Sequence, residues 1–201
     1  MKLIKRDWRT YLTATVLILG SYGCRDVAVP KPRGYFRIDF PSKEYISSDR
    51  LKLKEKMPFM VEYPVYGILS DDLEASGNTG WYNIDFPSYK ARIYLTYRDV
   101  DNDLANLIEE TYTMNVKNHI YKADAINEQV ICNREDKIYG ILYDLKGNTA
   151  SAVQFYVTDS IKHYLRGSLY FDSEPDADSL APVIDFFRED IVHLIETLKW
   201  K

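Results

Sequence analysis

Three lone histidines, an acidic loop and a matched pair of aspartates are the residues with which this chain could do chemistry. His119, His163 and His193 could ligate a metal or carry a proton. Each stands alone, without the close ligand spacing that metal sites use. Asp172-Ser173-Glu174-Pro175-Asp176-Ala177-Asp178 sets carboxylates at alternate positions, as calcium loops do. It places Ala177 where such a loop turns on glycine, and Val183 where it closes on a carboxylate. A solvated strand-to-helix loop accounts for it. Asp39 and Asp85 occupy equivalent places in two similar segments and could form an acid pair. Nothing in their surroundings marks one as proton donor. There is no G-x-S-x-G, P-loop, dinucleotide fingerprint or H-E-x-x-H. The sequence predicts no catalytic residues, no metal and no cofactor: a binding or assembly protein, not an enzyme.

The residue with the most definite chemistry is Cys24. Before it come a charged start (Lys2, Lys5, Arg6, Arg9), a short apolar run from Tyr11 to Leu19, and Gly20-Ser21-Tyr22-Gly23. That order is the secretory pattern, and the apolar run falls short of the roughly 20 residues a spanning helix needs. Residues 1–23 therefore read as a signal peptide. Ser21-Tyr22-Gly23-Cys24 resembles a lipobox, where signal peptidase II cuts and the cysteine thiol takes a diacylglyceryl group; Ser21 stands where that motif usually has Leu. The expected membrane contact is a lipid anchor on Cys24. Arg25, in place of Asp, resembles an outer-membrane sorting signal, and the scarcity of acids after it predicts a periplasm-facing domain.

Residues 24–33 form the expected lipidated tether, and residues 34–201 a single domain. Pro30 and Pro32 favour an extended, stiff segment. Lys31-Pro32-Arg33-Gly34-Tyr35 puts two cations and an aromatic on that segment, a strip suited to a partner's sheet edge or groove. The same strip could instead pack as the domain's first strand. The chain has only two cysteines, so lipidation of Cys24 leaves Cys132 without an intramolecular partner and the fold resting on its core. Cys132, in Gln129-Val130-Ile131-Cys132, reads as a small buried hydrophobe. A net charge of −4 with scattered basic residues argues against nucleic-acid partners. Seventeen tyrosines suit half-buried sheet surfaces and interfaces.

These groups need a scaffold, and the pattern supplies one. Gly34-Tyr35-Phe36-Arg37-Ile38-Asp39-Phe40-Pro41 recurs as Gly80-Trp81-Tyr82-Asn83-Ile84-Asp85-Phe86-Pro87, which predicts two similar strands of one sheet. Further strands are expected at Met60–Tyr63, Ala91–Tyr97 and Asn127–Cys132. A meander should follow over Ile138–Leu145, Ala150–Val157 and Lys162–Phe171, with turns at 146–149 and 158–160. The stretch between Ile68 and Gly80 reads as an acidic loop. Leu104, Ile108, Tyr112, Val116 and Ile120 at four-residue spacing predict a helix capped by Asp101 or Asp103. Val183, Ile184, Phe187, Ile191, Leu194, Ile195 and Leu198 predict a second, with Ser179 as N-cap, Pro182 in the first turn, and Lys199 and Lys201 at its end. The order gives an α+β fold, a mostly antiparallel sheet covered by two amphipathic helices. It looks like the PsbP/Mog1 type of architecture.

Pro30-Lys31-Pro32-Arg33-Gly34-Tyr35-Phe36-Arg37-Ile38-Asp39-Phe40-Pro41, supported by Trp81–Pro87 and Lys90-Ala91-Arg92-Ile93-Tyr94-Leu95, resembles the GldD family of gliding-motility lipoproteins of Bacteroidetes. The resemblance spans the mature chain in element order. It implies an outer-membrane lipoprotein linked to gliding and type IX secretion, with other envelope lipoproteins or secretion and gliding proteins as partners, and it carries over no catalytic residues. The competing expectation is a small-ligand or lipid-binding periplasmic module. An enclosed apolar pocket with convergent polar groups would favour that module; an exposed apolar or Tyr/Arg patch would favour assembly.

Overall fold

A computed structural model describes residues 37–50, 57–71 and 80–201. The chain divides into two compact units, Met1–Arg37 and Ile38–Lys201, and every element below belongs to the second. Cys24 and the Lys31–Tyr35 strip lie outside the described residues.

The strands are β1 (Tyr45–Ser47), β2 (Phe59–Met60), β3 (Glu62–Pro64), β4 (Ile68–Asp71), β5 (Trp81–Phe86), β6 (Ala91–Asp99), β7 (Ala125–Asn133), β8 (Ile138–Lys146), β9 (Ser151–Thr158), β10 (His163–Phe171) and β11 (Lys199–Trp200). Helix α1 (Leu104–Tyr112) follows β6, and α2 (Ala177–Glu196) follows β10. Seven strands form one sheet in the order β4-β5-β6-β10-β9-β8-β7, each neighbour antiparallel. Two meanders thus meet where β6 pairs with β10, in register from Asp99↔His163 to Ala91↔Phe171. β1 pairs with β3 and β2 with β11, both antiparallel. The α+β class expected from the pattern is the one observed.

Each helix buries its stripe on a different face of the sheet. On the first face Val183, Phe187, Ile191, Leu194 and Ile195 of α2 pack on Ile84, Ile93, Leu95, Phe155, Val157, Leu165 and Leu169. Along each of these strands the core residues alternate, as a pleated strand requires. On the second face Leu107 of α1 packs with Tyr143, Leu145, Tyr156 and Tyr164. Tyr164 fixes it there, its hydroxyl donating to Thr111 Oγ1 at 2.6 Å. All eight residues of β9 are buried because helices cover that strand on both sides, which explains its near-continuous apolar run. Gly167 of β10 is required by the same packing. A Cβ there would stand 2.1 Å from Cε1 of the Phe155 ring.

Several local expectations are corrected. Residues 37–41 form no strand, so the described part of the first segment does not pair as its counterpart in β5 does; Gly34–Phe36 lie outside the described residues. Phe40 instead stacks on Phe186 of α2 with centroids 4.4 Å apart. Ile68–Asp71, expected in a loop, is an edge strand paired with β5. The expected strand at Met60–Tyr63 is split, its two halves pairing with β11 and β1 respectively. The first helix runs only to Tyr112 and passes into a π-helical turn, Thr113–Lys117, leaving Ile120 57% exposed. Asp103 is its N-cap residue but makes no side-chain cap bond. Asp176, not Ser179, caps α2 and accepts from the Ser179 amide. Pro182 therefore falls in the second turn, on the exposed side, where the missing N–H leaves a carbonyl to solvent. Lys199 belongs to β11. Cys132 is exposed.

Candidate functional site

The second face of the sheet is only half covered. α1 and its π turn lie over β8, β9 and part of β10. Beyond them the same face of β5, β6 and β10 stays open as a groove of about 1130 Å³. Its parity is set by the core: Ala91, Ile93, Leu95 and Tyr97 point toward α2, so Arg92, Tyr94 and Thr96 face the groove. On the neighbours that side carries Trp81 and Asp85 of β5, and Arg166, Ser168 and Tyr170 of β10. Ile68 lies at the β4 edge and is 57% exposed; Trp81 and Tyr94 are 38% and 39% exposed. Large apolar side chains gathered on one open face, with cations among them, are the usual mark of a docking surface.

The side chains hold one another in place. Tyr94 and Tyr170 meet edge-to-face with centroids 5.5 Å apart. The Arg92 guanidinium lies 5.4 Å from the Tyr94 ring, within cation–π reach. Arg92 Nε donates to Asp85 Oδ1 at 2.5 Å, and that bond raises the Arg92 pKa above its ordinary value. Asp85 is therefore bound to a cation. Deeper, Arg166 Nη2 donates to Asn115 Oδ1 at 3.2 Å and Gln154 Oε1 at 3.3 Å. Asn115 sits in the π-helical turn, so the irregular end of α1 is bonded to a residue that lines the groove.

The structure does not gather the histidines. His119 Nδ1 contacts the Met114 carbonyl at 3.0 Å, and His193 Nε2 contacts Glu62 Oε2 at 2.9 Å. His163 is buried against Trp200, stacked at 5.1 Å. Its Nδ1 lies 2.7 Å from the Tyr97 hydroxyl, which itself donates to Asp99 Oδ1 at 2.8 Å. Among the described residues no three His, Cys, Asp or Glu side chains are placed to hold a metal. The acidic loop Asp172–Asp178 supplies the α2 cap through Asp176. No helix among the described residues is long and apolar enough to cross a membrane.

None of Trp81, Arg92, Tyr94, Arg166 or Tyr170 stood out in the sequence as a site residue. A signal was available: Arg92, Tyr94 and Thr96 alternate with the core positions of β6, and Arg166, Ser168 and Tyr170 do the same in β10. Neither run is rich enough to notice until the two strands are paired.

Against known proteins, a family model described as gliding motility lipoprotein GldD matches residues 25–200. No curated protein matches the chain. Among solved structures, the solution structure of cyanobacterial PsbP (CyanoP) from Synechocystis aligns with a TM-score of 0.43 at 10% identity, over 72% of this chain and 87% of that one.

Proposed function

This chain belongs to the gliding motility lipoprotein GldD family, and from that membership we propose that it is a non-catalytic assembly component of an envelope machine linked to gliding and type IX secretion. A lipid on Cys24 holds it to the outer membrane, and residues 34–201 form a domain facing the periplasm. The observation that carries this reading is the half-covered second face of the sheet. There Trp81, Tyr94, Tyr170 and Arg92 form a rigid aromatic and cationic patch open to a partner. Trp, Tyr and Arg are the residue types in which interface energy concentrates. The Lys31–Tyr35 strip is a second proposed contact, placed beside the anchor by its sequence.

The groove supports docking over the alternative of a small-ligand carrier, because ligand clefts bury 70–90% of their occupant and this one lies open along β5, β6 and β10. The test is in-envelope photo-crosslinking. A photoreactive phenylalanine analogue at Trp81 or Tyr94 should capture discrete envelope proteins. The same probe at Tyr121, 95% exposed and away from the groove, should not. Equal capture from both positions would remove the groove as the docking face.

A further inference from the structure

Three buried side-chain nitrogens stand without partners around one guanidinium beneath the groove: Arg166 Nε, Asn115 Nδ2 and Gln154 Nε2. Arg166 Nη2 bonds both amide oxygens, which turns both NH2 groups away from it. Flipping either amide would set N–H against N–H. Asn115 and Gln154 are fully buried. All three orphan atoms are donors, and unsatisfied buried groups in a folded protein call for a specific explanation. Arg166 has no carboxylate within ion-pair distance among the described residues, and burial lowers its pKa. It is a half-buried cation that no described carboxylate pairs with directly, Glu110 acting on it only through space. Asn115 reaches it from a π-helical turn at Thr113–Lys117, a distortion that recurs at functional sites.

Arg166 and Ser168 line the groove above this cluster, and Lys90 and Arg92 add two cations nearer its mouth. Asp85 and Asp172 are the acids of the lining, and Asp85 is already bound to Arg92. Among the described residues the groove therefore keeps a positive surplus, on a chain whose net charge is −4.

We propose that the groove receives an acidic segment of a partner polypeptide, with an Asp or Glu carboxylate seated on Arg166 and the flanking side chains against Trp81, Tyr94 and Tyr170. This rests on reading the groove as the docking face and names the chemistry it selects. A carboxylate supplies charged acceptor oxygens to the Arg166 guanidinium, and its plane matches that group. A polypeptide is the occupant because the groove is an open trough along three strands rather than an enclosed cleft. Its rim also offers separate aromatic side chains for successive residues of an extended segment.

The test uses the full lipidated chain, isotope-labelled in detergent micelles, with two probes: acetyl-Gly-Tyr-Glu-Tyr-Gly-amide and its Gln counterpart. The Glu peptide should bind at least roughly tenfold more tightly, the range expected of a charge-assisted hydrogen bond. It should also shift the Arg166 Nε–H resonance and the side-chain NH2 signals of Asn115 and Gln154. Arg166→Gln should abolish the preference while leaving weak, equal binding of both peptides. The wild-type comparison needs no variant, so a poorly folded R166Q would not rescue the idea. Equal binding of the two peptides overturns the proposal, as does unchanged Glu preference in R166Q. So does competition by inorganic phosphate or phosphatidylglycerol vesicles as strong as that of the Glu peptide. If the peptides fail to discriminate while crosslinks from Trp81 and Tyr94 still capture envelope proteins, the docking face stands and only the acidic-segment proposal falls.

Discussion

Lys43 Nζ stands 2.6 Å from Asp190 Oδ1 and 3.4 Å above the Phe186 ring, so a residue of the segment leading into β1 is fastened to the middle of α2. Tyr45 donates to the same carboxylate at 3.0 Å and Tyr66 at 2.7 Å. Burial raises both tyrosine pKa values, and Asp190 raises them further. The Asp190 side chain is fully buried, and a buried carboxylate persists only when its charge is met by such donors. Lys43→Met removes the cation and leaves the charge behind. It should cost about 3 kcal/mol in urea denaturation. K43M/D190N, which removes both charges, should recover a good part of that loss. Wild-type stability in K43M would show that the two tyrosines alone suffice.

His163 gives the fold an acid-sensitive point. Burial is the main cause holding its pKa below the ordinary 6.5. The unfolded chain therefore binds a proton near pH 6.5 that the folded chain refuses. Stability from this group is complete above pH 6.5 and declines as pH falls from there toward the depressed folded value. Melting temperatures measured from pH 7.5 to 5.5 should fall over the acid half of that range. His163→Gln should flatten the decline. A slope unchanged in the variant would assign it to other groups.

Cys132 should behave as a surface thiol. Among the described residues β7 pairs only with β8, and the strand's alternation sends Ile131 into the α2 core and Cys132 to the opposite side. Maleimide labelling of the folded protein, read by peptide mass mapping, should modify Cys132 as completely as labelling in urea. Protection in the folded state would mean that another surface covers this edge.

The anchor can be tested apart from the fold. Cys24→Ala should move the protein out of the membrane fraction or leave it unprocessed, with the melting curve of the domain unchanged. A C24A protein still carrying a labelled acyl chain would refute the lipid-attachment reading.

What was legible in the sequence followed burial. The α2 stripe could be read because Val183, Phe187, Ile191 and Leu194 all meet one continuous core. The meander β8–β9–β10 could be read because its turn residues interrupt strongly apolar runs. Local pattern misled where tertiary partners decide the outcome. Ile38-Asp39-Phe40-Pro41 and Ile84-Asp85-Phe86-Pro87 have the same residues, yet only the second lies beside β4 and β6. The first turns its phenylalanine into α2. Cys132 looked like core because its neighbours are apolar, but an edge strand half beyond the reach of α1 has no second layer to bury it. The groove was invisible for two physical reasons. It joins residues of β6 and β10, distant in sequence, and it exists because α1 stops short of its apolar repeat. Ile120 continues the repeat, but the helix ends in the π-helical turn and Ile120, beyond it, is exposed.

The Lys43 fastening also has a mechanical consequence. A pull on the N-terminal side of Ile38 reaches the Phe40–Phe186 stack and the Lys43–Asp190 pair before it reaches the short β1–β3 ladder. The load therefore enters through the centre of α2 and is resisted by that helix's packing on the core. Peeling a three-residue strand from an edge, the easy way to unzip such a domain, is not where the strain first falls.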